Sequence, residues 1–159
     1  MKRATTLVFL TCIFIASSTA QDLRGIPDTI RTPDQIVKWF DSDFQYQLKL
    51  PDAPQSPEET MVLKTGDCDD FAALASVILA RSGIKSDVLI IRFKGLNVQH
   101  AICIWRNSSG TYDFISSKKL HRTLAHDIVS AVAEYYPDWE AIDLASENRD
   151  HFTTLAALN

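Results

Sequence analysis

The sequence predicts an α+β domain, with helices in its first half and a mainly antiparallel sheet in its second. Three observations carry this. Two segments open with Thr-Pro and Ser-Pro capping arrangements, Phe71 to Ala80 is almost continuously apolar, and three β-rich runs follow between residues 87 and 116.

The first helix is expected to start at Thr32-Pro33-Asp34-Gln35, with Thr as cap, Pro at the first helical position and Gln three residues beyond the cap. Ile36, Val37, Trp39, Phe40 and Phe44 give it an apolar face, and Pro51 and Pro54 lie in the stretch that breaks it. Ser56-Pro57-Glu58-Glu59 repeats the arrangement and starts a short helix, which Lys64-Thr65-Gly66 ends. A third helix follows at once, capped by Asp67 or Gly66, with Cys68 in its first turn and Gly83 at its end. Being apolar on every side, it belongs in the middle of the domain.

Asp87 to Phe93 is β-branched and apolar on both faces, as a central strand is. Val98 to Trp105 reads as a second strand, and Arg106 to Gly110 as a turn into a third, Thr111 to Ser116. Leu124 to Tyr136 has helical spacing and stops at Pro137, while the last twenty residues favour neither period.

The first twenty residues have the three parts of an export signal: Lys2 and Arg3, an apolar run from Leu7 to Ala16, and small residues before Gln21. The run is too short to span a bilayer core of ~30 Å, so a cleaved signal and a periplasmic or secreted product are expected, with no stable membrane insertion afterwards. Residues 21–159 then form one domain. Losing Lys2 and Arg3 leaves fourteen basic residues against 20 acidic ones, a net charge of −6 that disfavours nucleic acid and anionic membrane as partners. Cys12 leaves with the signal, and Cys68 and Cys103 remain.

A thiol at a helix N-terminus meets unpaired N–H groups and the positive end of the macrodipole, which favour the thiolate and a developing oxyanion. Cys68 is expected there. His100 is the preferred base because it opens a strand beside the central helix, whereas His121, His126 and His151 lie in the polar C-terminal part. Trp39, Gln45 and Gln47 lie upstream as candidate oxyanion donors.

Gly66-Asp67-Cys68-Asp69-Asp70-Phe71-Ala72, a buried helix, a glycine, a strand, and then His100-Ala101 opening another strand together resemble the core of the transglutaminase-like superfamily. The likeness extends to the bacterial transglutaminase-like cysteine proteinases and covers roughly residues 32–120. Gly66, Cys68, Asp70 and Ala72 match the family's Gly-x-Cys-x-Asp-x-Ala pattern. The resemblance implies a papain-like fold and thiol chemistry on a peptide or isopeptide bond, with a peptide or protein as substrate and no required cofactor.

The resemblance also implies a third residue that orients the imidazole from the strand after His100. The acid on that strand is Asp113. With a four-residue loop from Asn107 to Gly110, however, Asp113 lies opposite Ile104, about 13 Å along from His100 at ~3.3 Å per residue. Either the loop is longer or bulged so that Asp113 slides toward His100, or Ser116 or Ser117 takes the place. Asp67, Asp69 and Asp70 read as caps and first-turn charges, or alternatively as a calcium site, which some bacterial members of the resembled family have beside the cysteine.

Two other readings stand beside the enzyme: an inactive domain that binds through the same fold, and a structural domain with a Cys68–Cys103 disulfide. Strand parity argues against the bridge, since Cys103 and His100 point to opposite faces, and a His100 that faces Cys68 turns Cys103 away.

Overall fold

The computed structural model describes residues 25–49 and 53–145, and the backbone of 152–157. The expected export signal lies outside the described residues. Among those described, no helix is long and apolar enough to cross a membrane.

The helical half follows its caps. Helix α1 runs Pro33–Asp43, with Thr32 Oγ1 accepting the Gln35 N–H (3.3 Å) and Gln35 Oε1 accepting the Thr32 N–H (3.0 Å). Strand β1 (Gln45–Tyr46) leads to α2 (Pro57–Leu63), which Ser56 and Glu59 cap in the same reciprocal way. Lys64 ends α2 in the left-handed conformation, and β2 (Thr65–Gly66) pairs in parallel with β1. Helix α3 spans Cys68–Arg81 and is the expected central rod, with Phe71, Leu74, Ala75, Ile78 and Leu79 fully buried.

The second half adds β3 (Ser86–Phe93), β4 (Gln99–Arg106), β5 (Tyr112–Ser116), β6 (Lys119–Arg122), α4 (Ile128–Tyr135), β7 (Trp139–Ala145) and β8 (Phe152–Ala157). The sheet order is β6-β5-β4-β3-β7-β8, and every neighbouring pair is antiparallel. This is the predicted α+β architecture with two additions, the short β6 and the β7–β8 pair formed by the ambiguous C-terminal residues. The expected helix between Leu124 and Tyr136 is α4, and it covers the sheet's second face.

Alternation along β4 divides the core in two. Ala101, Cys103 and Trp105 face α3 together with Ile115. Ile102 and Ile104 face the other way and pack with Phe114, Ala131, Val132 and Ile142. His100 shares that second face by parity, and Cys103 shares the first with the Cys68 helix. The two residues do lie on opposite faces, but the assignment is the reverse of the expected one. Cys68 and Cys103 are both free thiols, so among the described residues no disulfide forms.

Candidate active site

The site is built at the N-terminus of α3. Gly66 is required there by close approach, because a Cβ on it would stand 2.8 Å from Asp70 Cβ and 3.0 Å from Asp70 Oδ2. The Asp70 carboxylate accepts the N–H groups of Asp67 (3.1 Å) and Gln55 (2.6 Å) and pairs with the Lys49 ammonium at 2.5 Å. Gly66 and Asp70 of the motif thus hold the turn that presents Cys68, and they tie residues 49 and 55 down beside it.

The three expected cation-site acids divide. Asp70 serves as an anchor, and among the described residues the group whose ligand atoms lie within 4.8 Å of one another is Asp67, Cys68 and Asp69. Asp67 is 4% exposed, and its Oδ1 is buried with no hydrogen-bond partner.

The backbone N–H groups of Ala101 and Asp69 lie near enough to the half-buried Cys68 sulfur to favour its thiolate. Strand β5 pairs with β4 only as far as Ile102↔Ser116, so at Ala101 that edge of β4 has no strand beside it. Burial, followed by the Asp69 and Asp67 carboxylates, outweighs these donors and holds the thiol pKa above its ordinary 9.0. The expected thiolate-favouring effect of the helix terminus is therefore overridden.

His100, the residue before Ala101, has its Nε2 2.8 Å from Ser116 Oγ. Ser116 Oγ lies 2.9 Å from the Tyr136 hydroxyl, and the Tyr136 and His100 rings are 5.6 Å apart. Burial, with the charge of His121 added, lowers the His100 pKa below 6.5. At neutral pH the site holds a thiol and an uncharged imidazole. The Tyr136 pKa is raised by burial and also by the charge of Cys68, which places the His100–Ser116–Tyr136 group in the electrostatic neighbourhood of the sulfur.

Asp113 does not stand behind the ring. Its strand is shifted by one residue from the expected register, so that Asp113 pairs with Trp105 and not Ile104. It thereby lies on the opposite face from His100 and five residues along, roughly 16 Å at ~3.3 Å per residue. Its carboxylate accepts the Thr123 N–H at 3.3 Å, and it borders an open cleft of about 630 Å³ with Gly83, Ile84 and Lys85, at the other end of α3. The connection is one residue longer than expected, because Arg106 pairs with Tyr112 and leaves residues 107–111 between the partners. Gly110 N–H donates to Asn107 O and Asn107 N–H to Thr111 O, with Gly110 at φ 82°. Ser117 sits in the following turn at φ 51°.

Of the expected oxyanion donors, Trp39 gives its Nε1–H to Asp43 at 2.9 Å, and Gln45 and Gln47 are exposed. Tyr46 between them was not foreseen. It is 49% exposed but stacks on Phe71, and its pKa is raised by partial desolvation and then by the charges of Cys68, Asp67 and Asp69. Neither Tyr46 nor Tyr136 belongs to a sequence motif, and only the fold brings them to the cysteine.

A family model described as "Transglutaminase-like domain" matches residues 16–128. The chain belongs to the transglutaminase-like domain family. Within known structures, its fold is similar to calcium-bound Legionella pneumophila LapG, with a TM-score of 0.53 and 18% identity over 79% of this chain and 69% of that one. The EGTA-treated form of LapG gives 0.51 and 19%, over 77% and 69%. The UPF0252 protein of Archaeoglobus fulgidus is 26% identical over 119 residues, which are 60% of this chain and 36% of that protein's length. This transglutaminase-like chain thus spans about a third of that relative. At these identities the likeness to LapG establishes the fold, and the site above is read from this chain's own residues.

Proposed function

We propose that the domain is an exported thiol hydrolase or acyl transferase acting on a peptide or isopeptide bond. The observation that carries this is the His100 Nε2–Ser116 Oγ contact: with Nε2–H donating to Ser116, Nδ1 is the proton acceptor, in a residue next in sequence to Ala101, whose backbone N–H favours the Cys68 thiolate. In the first half-reaction the sulfur attacks the acyl carbon while its proton passes to His100 Nδ1. The tetrahedral oxyanion faces the first-turn N–H groups of α3 and the Tyr46 phenol. Collapse breaks the C–N bond, and the departing amine takes the proton from His100, leaving a thioester. Water or a second amine then attacks the thioester, gives its proton to His100, and releases the acid or the exchanged amide together with the thiol.

Because the resting pair is neutral, thiol deprotonation accompanies attack. The test is acid-quenched intact-mass spectrometry of the protein mixed with short peptide amides, with and without a primary amine. An acyl adduct on Cys68 that is absent in Cys68→Ala supports the reading, and amine incorporation separates transferase from hydrolase. No adduct with any peptide, or one that persists in Cys68→Ala, refutes it.

A second reading, a binding domain without turnover, is favoured by the hydroxyl that stands where a carboxylate orients the ring in a full triad. In that case peptides bind without forming an adduct.

A calcium ion fits the residues present, because the buried Asp67 Oδ1 lacks a partner and Asp69 lies beside it. LapG is a calcium-bound structural neighbour. Held by Asp67 and Asp69, the ion would offset the two carboxylates that act on Cys68. Residues 1–20 as export signal and a periplasmic or secreted site of action complete the proposal.

A further inference from the structure

Resting on the Cys68–His100 reading, we propose that Tyr136 is a positioning residue for His100 that acts through Ser116, the two hydroxyls together serving where a triad has a carboxylate. The chemistry of a serine in that place makes a partner necessary. For Nδ1 to accept the thiol proton, Nε2 must carry the ring hydrogen and donate it to Ser116 Oγ. A carboxylate only accepts, so it enforces this tautomer. A hydroxyl both donates and accepts. Left to itself, Ser116 can turn its own hydrogen onto Nε2, which moves the ring proton to Nδ1 and abolishes the base.

Ser116 serves as acceptor only if its own hydrogen has somewhere else to go. Tyr136 Oη is that place: in the structure its hydroxyl donates to Ser116 Oγ at 2.9 Å, and because both groups are hydroxyls, turning each about its C–O bond sends the Ser116 hydrogen to Tyr136 Oη instead. When His100 is protonated both ring nitrogens carry hydrogen, and the chain must run outward from Nε2–H to Ser116 Oγ–H to Tyr136 Oη. Each bond in such a chain polarises the next.

The phenol is held for this role. Tyr136 caps α4 with its N–H on Val132 O, and its carbonyl accepts the Trp139 N–H. Its ring packs edge-on to Phe93 at 6.0 Å and against Phe114 at 6.1 Å. On the other side, β5 ends at Ser116, and the left-handed Ser117 turns the chain back into β6. His121 on β6 also acts on the ring by its charge, and it does so alike in every variant considered.

The experiment is nitrogen-15 NMR of the His100 ring in the full chain in metal-free buffer, together with the rate of Cys68 alkylation by iodoacetamide at one pH. Wild type is expected to show the neutral ring mainly as the Nε2–H tautomer. Tyr136→Phe keeps the aromatic packing and removes the hydroxyl. It should shift the ring toward Nδ1–H and slow alkylation about fivefold, the size of one lost hydrogen bond. Ser116→Ala should change the ring signals as well, and Ser116→Asp should restore Nε2–H and make Tyr136→Phe silent in its background. An unchanged tautomer in Tyr136→Phe, or an undiminished effect of it beside Ser116→Asp, overturns the proposal. His100→Ala separates the two levels. If it leaves alkylation unchanged, the Cys68–His100 reading itself fails, whereas if it slows alkylation and Tyr136→Phe does not, only the role of Tyr136 fails.

Discussion

Replacing Gly66 by Ala tests why the cysteine motif begins with glycine. The new Cβ would sit 2.8 Å from Asp70 Cβ, where carbon atoms ordinarily settle at about 3.5–4.0 Å. No rotamer of Asp70 moves its Cβ, so the backbone of the α3 first turn must retreat by about 1 Å. That movement strains three short contacts at once: the Lys49 ammonium at 2.5 Å, the Gln55 N–H at 2.6 Å and the Asp67 N–H at 3.1 Å. Overpacking costs about 1–3 kcal/mol, and fully separating a buried ion pair costs about 3–5 kcal/mol. A partial separation added to the overlap gives about 3 kcal/mol, or roughly 10 °C in melting temperature for a domain of this size. Urea unfolding of Gly66→Ala beside Gly83→Ala measures it. Gly83 has φ 74° with nothing within 4 Å of an added Cβ, so its substitution costs only the left-handed backbone, about 1 kcal/mol. If the two substitutions cost the same, the close-approach explanation of the motif glycine is wrong.

Other outcomes follow from the charges and burial at the site. Alkylation of Cys68 should keep accelerating past pH 9, because burial and two carboxylates raise its pKa, and Asp69→Asn should move the profile to lower pH. A plateau below pH 8 would contradict this. Cys103 is buried, with its pKa pushed up to about 12, and should stay unmodified until the protein unfolds. The sign for stability follows from linkage: between about pH 9 and 12 the unfolded chain has released the Cys103 proton and the folded one retains it, so stability falls as pH rises. Cys103→Ala should make that alkaline slope shallower by one proton, and an equal slope in both proteins would exclude the contribution. Millimolar calcium should raise the melting temperature of wild type and leave Asp67→Asn unmoved, since a ligand bound only to the folded state stabilises it by mass action. An equal shift in both would place any bound ion elsewhere.

Local signals were the legible part of this fold. The Thr32 and Ser56 capping boxes and the extent of α3 could be read because a cap and an apolar run each act over a few neighbouring residues. Strands β3, β4 and β5 could be read from β-branched runs. The short β6 and the pair β7–β8 could not, since Lys119–Arg122 is polar and the stretch after Trp139 mixes Glu140 and Asp143 with apolar residues. At the site, Cys68 and His100 were named from motif and order, and Ser116 stood among the alternatives behind the ring. Asp113 was misplaced by one residue of hairpin register. The Asn107 side chain sets that register, with Oδ1 accepting the Ser109 and Thr111 N–H groups and Nδ2 donating to Thr111 Oγ1. A one-residue slip sends every side chain to the other face, so the least legible feature of the chain decided the most chemical question about it.

The proposed site draws on residues 68, 100, 116 and 136, which lie on α3, β4, β5 and the end of α4. A chain still emerging from a ribosome carries Cys68 long before it carries Tyr136. Over that interval the thiol has no base beside it and no oriented ring. The proposed chemistry is therefore latent until the last of the four segments has been delivered and docked.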